Sequence, residues 1–283
     1  MIIVHEPSAM RQRADDARKS GKTIAFVPTM GALHAGHLAL IREACGYGDS
    51  VVTSIFVNPT QFGAGEDFER YPRNLDRDAA LAAGAGSDVV FAPSAGAMYP
   101  QGFATFVSVE GITGLLEGKS RPGHFRGVAT VVAKLCLIVN PHVLLLGQKD
   151  GQQVAVVRRM LTDLNFPVRL VVVPTVREKD GLAMSSRNVY LTPGQRAEAP
   201  VLYASLRMAE QRLRDGEKDA EAVRAAMRAM ITSGSHGVID YVSVARGDTL
   251  EELTVIEPPL PVMISLAVRF GPTRLIDNIS LTL

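Results

Sequence analysis

Short apolar runs separated by longer stretches of helical spacing set the rhythm of residues 1–175. Thr23–Val27 is apolar and ends at Pro28, Val51–Val57 ends at Asn58 and Pro59, and Asp88–Phe91 is closed by Pro93. Val143–Leu146 follows Pro141, and the β-branched run Val168–Val173 ends at Pro174. Each reads as a strand stopped by a residue that cannot continue a central ladder. Ser8–Gly21 is polar and rich in Ala and Arg, and reads as a surface helix capped by Ser8 and stopped by Gly21. Ala35–Ala44 is helix-compatible. From Val128 onward, Val131, Val132, Leu135, Ile138 and Val139 recur on one helical face, and Asp150 opens a helix carrying Val154, Val157 and Leu161. Strands alternating with helices predict right-handed βαβ units and a mostly parallel, Rossmann-like sheet covered on both faces.

Beyond Pro174 the alternation stops. Leu202, Leu206, Ala209 and Leu213 share one helical face, and Val223, Met227 and Met230 share another. Strands Ile239–Ala245 and Val262–Phe270 follow, separated by Pro258, Pro259 and Pro261. Helices and then strands, without alternation, predict a smaller α+β domain over 176–283, after an α/β domain over 1–175.

Composition narrows the setting. The 283 residues are 47% hydrophobic and 21% charged, which excludes disorder over most of the chain. Thirty Lys plus Arg against 29 Asp plus Glu leave a formal charge of +1. That balance supplies no global attraction to nucleic acid or an acidic membrane, so anion binding must be local. Cys45 and Cys136 lie far apart without a CxxC spacing, which argues against a zinc site or a disulfide framework and for a reducing, cytoplasmic setting. The apolar Met1–Val4 is interrupted by His5, Glu6 and Pro7, too short for a signal h-region or a membrane span.

The candidate chemistry sits where strands hand over to helices. Pro28–His37 carries Gly31, Gly36 and two histidines, His34 and His37, one turn apart at a helix N-terminus that favours anions. Two histidines also raise the possibility of a metal, but no thiolate or Glu helix motif nearby completes a zinc set. Neither GxxxxGK[ST] nor GxGxxG occurs at this turn. Gly147–Gln153 follows the strand Val143–Leu146. It reads either as a capping box from Asp150 to Gln153 or as a phosphate contact through Lys149, with Gln153 bonding a small polar substrate. Arg177–Asn188 combines arginine with Ser185 and Ser186 and suits either a polyphosphate or an exposed linker. Gln61, beside Phe62, offers a neutral amide against an aromatic wall, suited to a small hydroxy acid. Arg121–Gly127 reads as a lid, a subunit contact or a plain turn.

Taken in order, PTMGALHAGH, FVNPTQF, EDFERYPR, RPGHFRGVAT, GQKDGQQ and REKDGLAMSSRN closely resemble the pantothenate synthetase (pantoate–β-alanine ligase) family across most of residues 24–188. PTMGALHAGH alone is similar to the HxGH signature shared by nucleotidylyltransferases and class I aminoacyl-tRNA synthetases; GQKDGQQ and DGLAMSSRN narrow the resemblance. It implies an ATP-dependent condensation of (R)-pantoate with β-alanine through a pantoyl adenylate, giving pantothenate, AMP and pyrophosphate. Carried over by position, Met30, Gly31, Ala32, Leu33, His34, Ala35, Gly36 and His37 would cradle ATP, with His37 the proton donor. Gly147, Gln148, Lys149 and Asp150, together with Met184, Ser185, Ser186 and Arg187, would complete the nucleotide site, with Val176 near the adenine. Catalysis would fall to His37, His34, Lys149 and Arg187. Gln61 and Gln153 would grip pantoate, and Gln61 would help place β-alanine.

The resemblance also implies Mg²⁺ held mainly through phosphates and water, with no protein metal cage. A homodimer is expected, and the apolar run Val107–Leu116 suits such an interface as well as it suits a core. The C-terminal domain, which has no comparable motif, would close the active-site cleft. Gly151, where the family more often has a larger residue, and Leu146, where an aromatic is common, depart from the pattern. The competing readings are a nucleotidylyltransferase that leaves the nucleotide in its product and a non-catalytic nucleotide-binding module.

Overall fold

A computed structural model describes residues 1–63 and 65–283. Among these residues, β1 (Ile2–Val4), α1 (Pro7–Lys19), β2 (Ile24–Thr29), α2 (Ala35–Ala44) and β3 (Ser50–Ile55) come first. They are followed by α3 (Leu75–Ala85), β4 (Val89–Phe91), α4 (Ala95–Met98), α5 (Leu116–Ser120), α6 (His124–Val139), β5 (Val143–Gly147), α7 (Gly151–Asp163) and β6 (Arg169–Val173). The remainder is α8 (Pro193–Glu198), α9 (Val201–Arg214), α10 (Ala220–Gly234), β7 (Val238–Arg246), β8 (Pro261–Phe270) and β9 (Thr273–Thr282). None of these helices is long and apolar enough to cross a membrane.

Two compact units emerge, one of Met1–Gly147 with Val156–Val173 and one of Gln148–Ala155 with Pro174–Leu283. The first holds a six-stranded parallel sheet in the order β1-β4-β3-β2-β5-β6. Ile24, Ala25, Phe26 and Val27 are all buried, so both faces of β2 are covered and the strand reads as a continuous apolar run instead of an alternation. Ala25 and Val27 meet Leu40, Ile41 and Ala44 of α2 and Ala79, Ala82 and Ala85 of α3 in one core. Strand order reverses at β2, which lies between β3 and β5. In open α/β sheets the carboxyl ends of strands at such a reversal are where ligands bind. The chain leaves β2 into Met30–His34 and leaves β5 into Gln148–Asp150.

The second unit builds its own core. Leu202, Leu206, Ala209 and Leu213 of α9 and Val223, Met227 and Ile231 of α10 pack on the antiparallel sheet β7-β8-β9. The inward face of α10 therefore continues to Ile231, at i, i+4 and i+8, while Met230 is only partly buried. This is the α/β sheet domain plus small α+β lobe that the sequence pattern predicts, with β9 added to it.

Candidate active site

The turn after β2 is held from below. Thr29 Oγ1 donates to Ser54 O at 2.7 Å and accepts from Gly31 N at 3.1 Å. Asp78 of α3, only 1% exposed, accepts from Ala32 N at 2.7 Å and Leu33 N at 2.9 Å. Arg77 Nη1 adds a contact to the same carboxylate at 3.2 Å. Gly31 has φ +86°, and a Cβ there would lie 3.0 Å from Asp78 Oδ2, so the position needs glycine both for its backbone and for the carboxylate beneath it. Leu33 turns its side chain into the core, and its main chain is held on both sides, the N–H by Asp78 and the carbonyl by Arg77 Nη2 at 3.3 Å.

His34 is the N-cap of α2. Its Nδ1 accepts from Gly36 N at 3.2 Å, and its own N–H donates to His37 Nδ1 at 3.3 Å, a reciprocal capping box built from two imidazoles. A nitrogen that accepts from a backbone N–H carries no proton, so in the neutral rings the proton of both histidines sits on Nε2. The rings lie 4.1 Å apart between centroids. Gly36 permits this fold-back, because a Cβ there would come within 2.9 Å of His34 Cε1. The local sequence thus presents two Nε2–H donors at a helix N-terminus, the chemistry that an anionic oxygen requires.

Gln61 sits in the turn Pro59–Gln61 that follows β3, capped by Asn58. Its Oε1 accepts from Asn58 Nδ2 at 3.0 Å and its Nε2 donates to Met30 Sδ at 3.1 Å, which ties it to the histidine turn. Asn58 is itself buried, donating to Gly127 O at 3.2 Å and accepting from Tyr99 OH at 2.8 Å. The main-chain carbonyl of Gln61 is held by His124 Nδ1 at 2.8 Å and Arg121 Nη2 at 3.4 Å. Arg121 in turn grips Glu66 through both oxygens, at 2.7 and 2.6 Å. Burial pulls the Glu66 carboxyl upward, but the Arg121 ion pair outweighs it and holds the group below its ordinary value. Arg121–Gly127 therefore leads into α6 and buttresses Gln61, a role that the sequence reading of a lid, a subunit contact or a plain turn did not include.

The remaining candidates belong to the second unit. Gln148–Asp150 forms a single 3-10 turn before α7, with Lys149 Nζ 3.6 Å from Asp150 Oδ1. Gln148 Nε2 donates to Asn278 Oδ1 at 2.7 Å and Ser280 Oγ at 2.8 Å. Gln153 lies half-buried in the first turn of α7. Gly151 is buried against β8 and β9, where a Cβ would lie 2.8 Å from Met263 Sδ; the helix entry at this departure from the family pattern is thus tightly packed. Leu146 is buried within β5.

Residues 177–183 fold back on themselves through an antiparallel bridge between Arg177 and Ala183, and Met184 N donates to Val176 O at 2.9 Å. Val176 and Met184 are thereby neighbours. Ser185 caps the turn Ser186–Tyr190, its Oγ accepting from Arg187 N at 3.2 Å. Arg177 is committed elsewhere: it grips Asp277 at 2.6 and 3.0 Å, donates to Gly181 O at 3.1 Å and stacks 3.7 Å above the Tyr203 ring. Burial pushes Asp277 up from its ordinary value, against the pull of Arg177. Of the two arginines in this segment, Arg177 holds the loop.

Asp78 and the pair Asp277–Asn278 carry no site signal in the sequence, where Asn58 reads as a strand stop. A capping pattern at Asn74, three residues before Arg77, was the available signal for α3, whose N-cap Asn74 accepts from Arg77 N. Among the described residues, no three His, Cys, Asp or Glu side chains group closely enough to hold a metal ion.

A family model described as pantoate-beta-alanine ligase matches residues 2–280. The chain is 52% identical over 279 residues to a pantothenate synthetase of Acetivibrio thermocellus, covering 99% of each sequence. It is 53% identical over 281 residues to that of Moorella thermoacetica, again covering 99% of each. Among solved structures, a pantothenate synthetase from Thermus thermophilus superposes with a TM-score of 0.91 at 47% identity over 99% of both chains. A pantoate-beta-alanine ligase from Francisella tularensis, complexed with beta-gamma ATP and beta-alanine, gives 0.79 at 35% identity over 99% of this chain and 97% of that one. With a nearly full-length family match, relatives above half identity and a solved structure of the same fold, this chain belongs to the pantoate-beta-alanine ligase family of enzymes.

Proposed function

We propose that this ligase condenses (R)-pantoate with β-alanine using ATP, releasing pantothenate, AMP and pyrophosphate through an enzyme-bound pantoyl adenylate. The observation that carries the reading is the backbone-locked histidine pair, whose Nδ1 atoms are both engaged by main-chain N–H groups. Their Nε2–H donors suit phosphate oxygens that gain charge as pyrophosphate departs, an arrangement that needs no reorganisation during reaction. His37 serves as proton donor. Lys149 and Arg187 offset phosphate charge, and Met30, Gly31, Ala32, Leu33, Ala35, Gly36, Gly147, Gln148, Asp150, Val176, Met184, Ser185 and Ser186 line the nucleotide. Gln61 and Gln153 bind the pantoate oxygens so that its carboxylate attacks the α-phosphate; Gln61 also places β-alanine, whose amine attacks the resulting anhydride. The structure of the Francisella relative with an ATP species and β-alanine supports this choice of ligands.

Mg²⁺ is part of the proposal. The candidate set of imidazoles, a lysine, an arginine and amides suits an ion carried in on the triphosphate and water better than a protein cage, and the ion supplies further charge neutralisation at the phosphates. A homodimer and a cytoplasmic setting belong to the same proposal. The test is pyrophosphate exchange into ATP. Exchange that requires pantoate but not β-alanine, followed by release of AMP when β-alanine is added, is expected. Nucleotide covalently retained in the final product would replace this reading with a nucleotidylyltransferase, and nucleotide binding without exchange would make the chain a binding module.

A further inference from the structure

The C-terminal strand β9 carries no motif, yet it is what holds the turn bearing Lys149. Asn278, 5% exposed, donates through Nδ2 to Gln148 O at 2.9 Å and to Lys149 O at 2.8 Å. Its Oδ1 accepts from Gln148 Nε2 at 2.7 Å. One primary amide thus satisfies two consecutive carbonyls and a side chain some 130 residues distant along the chain. A carboxylate cannot make the two donations and an apolar group can make none, so the arrangement selects asparagine. The clamp is fixed in its turn: Asn278 N donates to Asp277 Oδ1 at 2.8 Å, and Asp277 is locked to Arg177. Adjacent residues of β9 therefore tie down both segments of this unit proposed to meet the nucleotide, Gln148–Asp150 and the loop that begins at Arg177. The packing leaves little slack, because a Cβ at Gly151 would lie 3.0 Å from Asn278 Oδ1.

We propose that Asn278 is a positioning residue for Lys149, holding the main chain of the turn so that the ammonium group meets the phosphate charge that develops in adenylation. This rests on the ATP-dependent reaction proposed above. The Lys149 ammonium lies 3.6 Å from the half-exposed Asp150 carboxylate and feels the Asp277 carboxylate as well, and its place follows from its main chain, so a loosened turn would displace the charge without removing it. A displacement of roughly 1 Å at a charge-stabilising group costs about 100-fold in rate.

The experiment measures pantoate-dependent ATP–pyrophosphate exchange in the full-length protein carrying Asn278→Ala, Asn278→Asp, Lys149→Ala and the Asn278→Ala/Lys149→Ala pair, each checked by circular dichroism and thermal melting. Asn278→Ala and the nearly isosteric Asn278→Asp are expected to lower kcat for exchange about 100-fold while the KM for pantoate stays within about twofold. Ser280→Ala, which removes only the second acceptor of the Gln148 side chain, should stay within about twofold of wild type. In the Lys149→Ala background, Asn278→Ala should cost almost nothing further, since a residue acting through another has no effect once that other is gone. Amide hydrogen exchange over 149–153 should quicken in both Asn278 variants, a readout that does not depend on activity. Additive losses in the double variant, or unchanged protection of 149–153, would overturn the positioning role. If Asn278→Ala does not fold, Asn278→Asp is paired with Lys149→Ala instead and judged by the same two criteria. Wild-type protein lacking pantoate-dependent exchange would overturn the proposed reaction and the role resting on it, whereas wild-type exchange with additive losses would overturn the role alone.

Discussion

Replacing Asp78 by asparagine tests whether a buried carboxylate shapes the histidine turn. Its side chain accepts two main-chain N–H groups, from Ala32 at 2.7 Å and Leu33 at 2.9 Å, in a position 1% exposed. A hydrogen bond to a charged group contributes about 1.5–3 kcal/mol net, so two give about 3–6 kcal/mol. Arg77, whose side chain is 56% exposed, adds only about 0–1 kcal/mol. Asparagine keeps one acceptor and turns an NH2 group toward the other N–H, so Asp78→Asn should lose about half, roughly 1.5–3 kcal/mol. For a unit of this size that lowers the melting temperature by about 3–12 °C. The same change releases the peptide planes that lead into His34, and exchange kcat should fall about 100-fold through misplacement of the imidazoles. The assays are thermal melting and pantoate-dependent exchange on matched, folded samples. A variant that melts within about 1 °C of wild type would refute the energetic argument. Lower stability with wild-type exchange would refute the claim that Asp78 sets the catalytic geometry.

Other expectations rest on separate groups. His34→Ala or His37→Ala should slow adenylation roughly 10²- to 10³-fold, with a smaller defect when preformed pantoyl adenylate is supplied; single-turnover rates of both half-reactions decide, and equal losses would sink the phosphate-specific role. Arg177→Met should cost about 3–5 kcal/mol in urea unfolding by stranding the buried Asp277 carboxylate, and Arg177→Met with Asp277→Leu should recover most of it. Cys136, 2% exposed and with its thiol pushed up to about 12 by burial, should resist alkylation at pH 8, while the exposed Cys45 reacts; two equivalents of rapid labelling in native protein would contradict this. Because Glu66 is held below its ordinary value of 4.5, its pairing with Arg121 stabilises fully above that pH and is lost as pH falls through the lower folded value. Glu66→Gln should therefore flatten the stability profile only below about pH 4.5, and an unchanged profile there would show that the pair contributes nothing.

How much of this molecule its sequence announces follows from the range over which each determinant acts. The strands β2, β3, β5 and β6 were legible because apolar runs and the breakers Asn58–Pro59 and Pro174 act within a few residues, but Pro28 does not end β2, which runs through it to Thr29 with Pro28 opposite Ser54. Near misses have local causes too. The helix read as capped by Ser8 begins at Pro7, whose fixed φ starts a helix with no side-chain bond from the N-cap Glu6. The helix read from Val128 begins at His124, because Gly127 belongs to it and lets it press on Thr60, where a Cβ would lie only 2.3 Å from the carbonyl oxygen. The Ala-rich α3 has only a shallow apolar stripe, and its importance comes from Asp78, whose partners lie 45 and 46 residues earlier.

The short β1 exists because it pairs with β4, and β9 because it pairs with β8; neither pairing is written in a local period. Asp277 and Asn278 look unsuited to a buried strand until Arg177 and the Gln148–Lys149 carbonyls are brought to them. The sequence by itself determined the α/β class and the histidine, glycine, lysine and amide chemistry, since side-chain type and short-range spacing are local properties. Tertiary structure alone decided that Arg177 is structural, that Gln61 is braced by Asn58 and His124, and that a motif-free strand holds Lys149, because a buried polar group is tolerated only where distant chain supplies its partners.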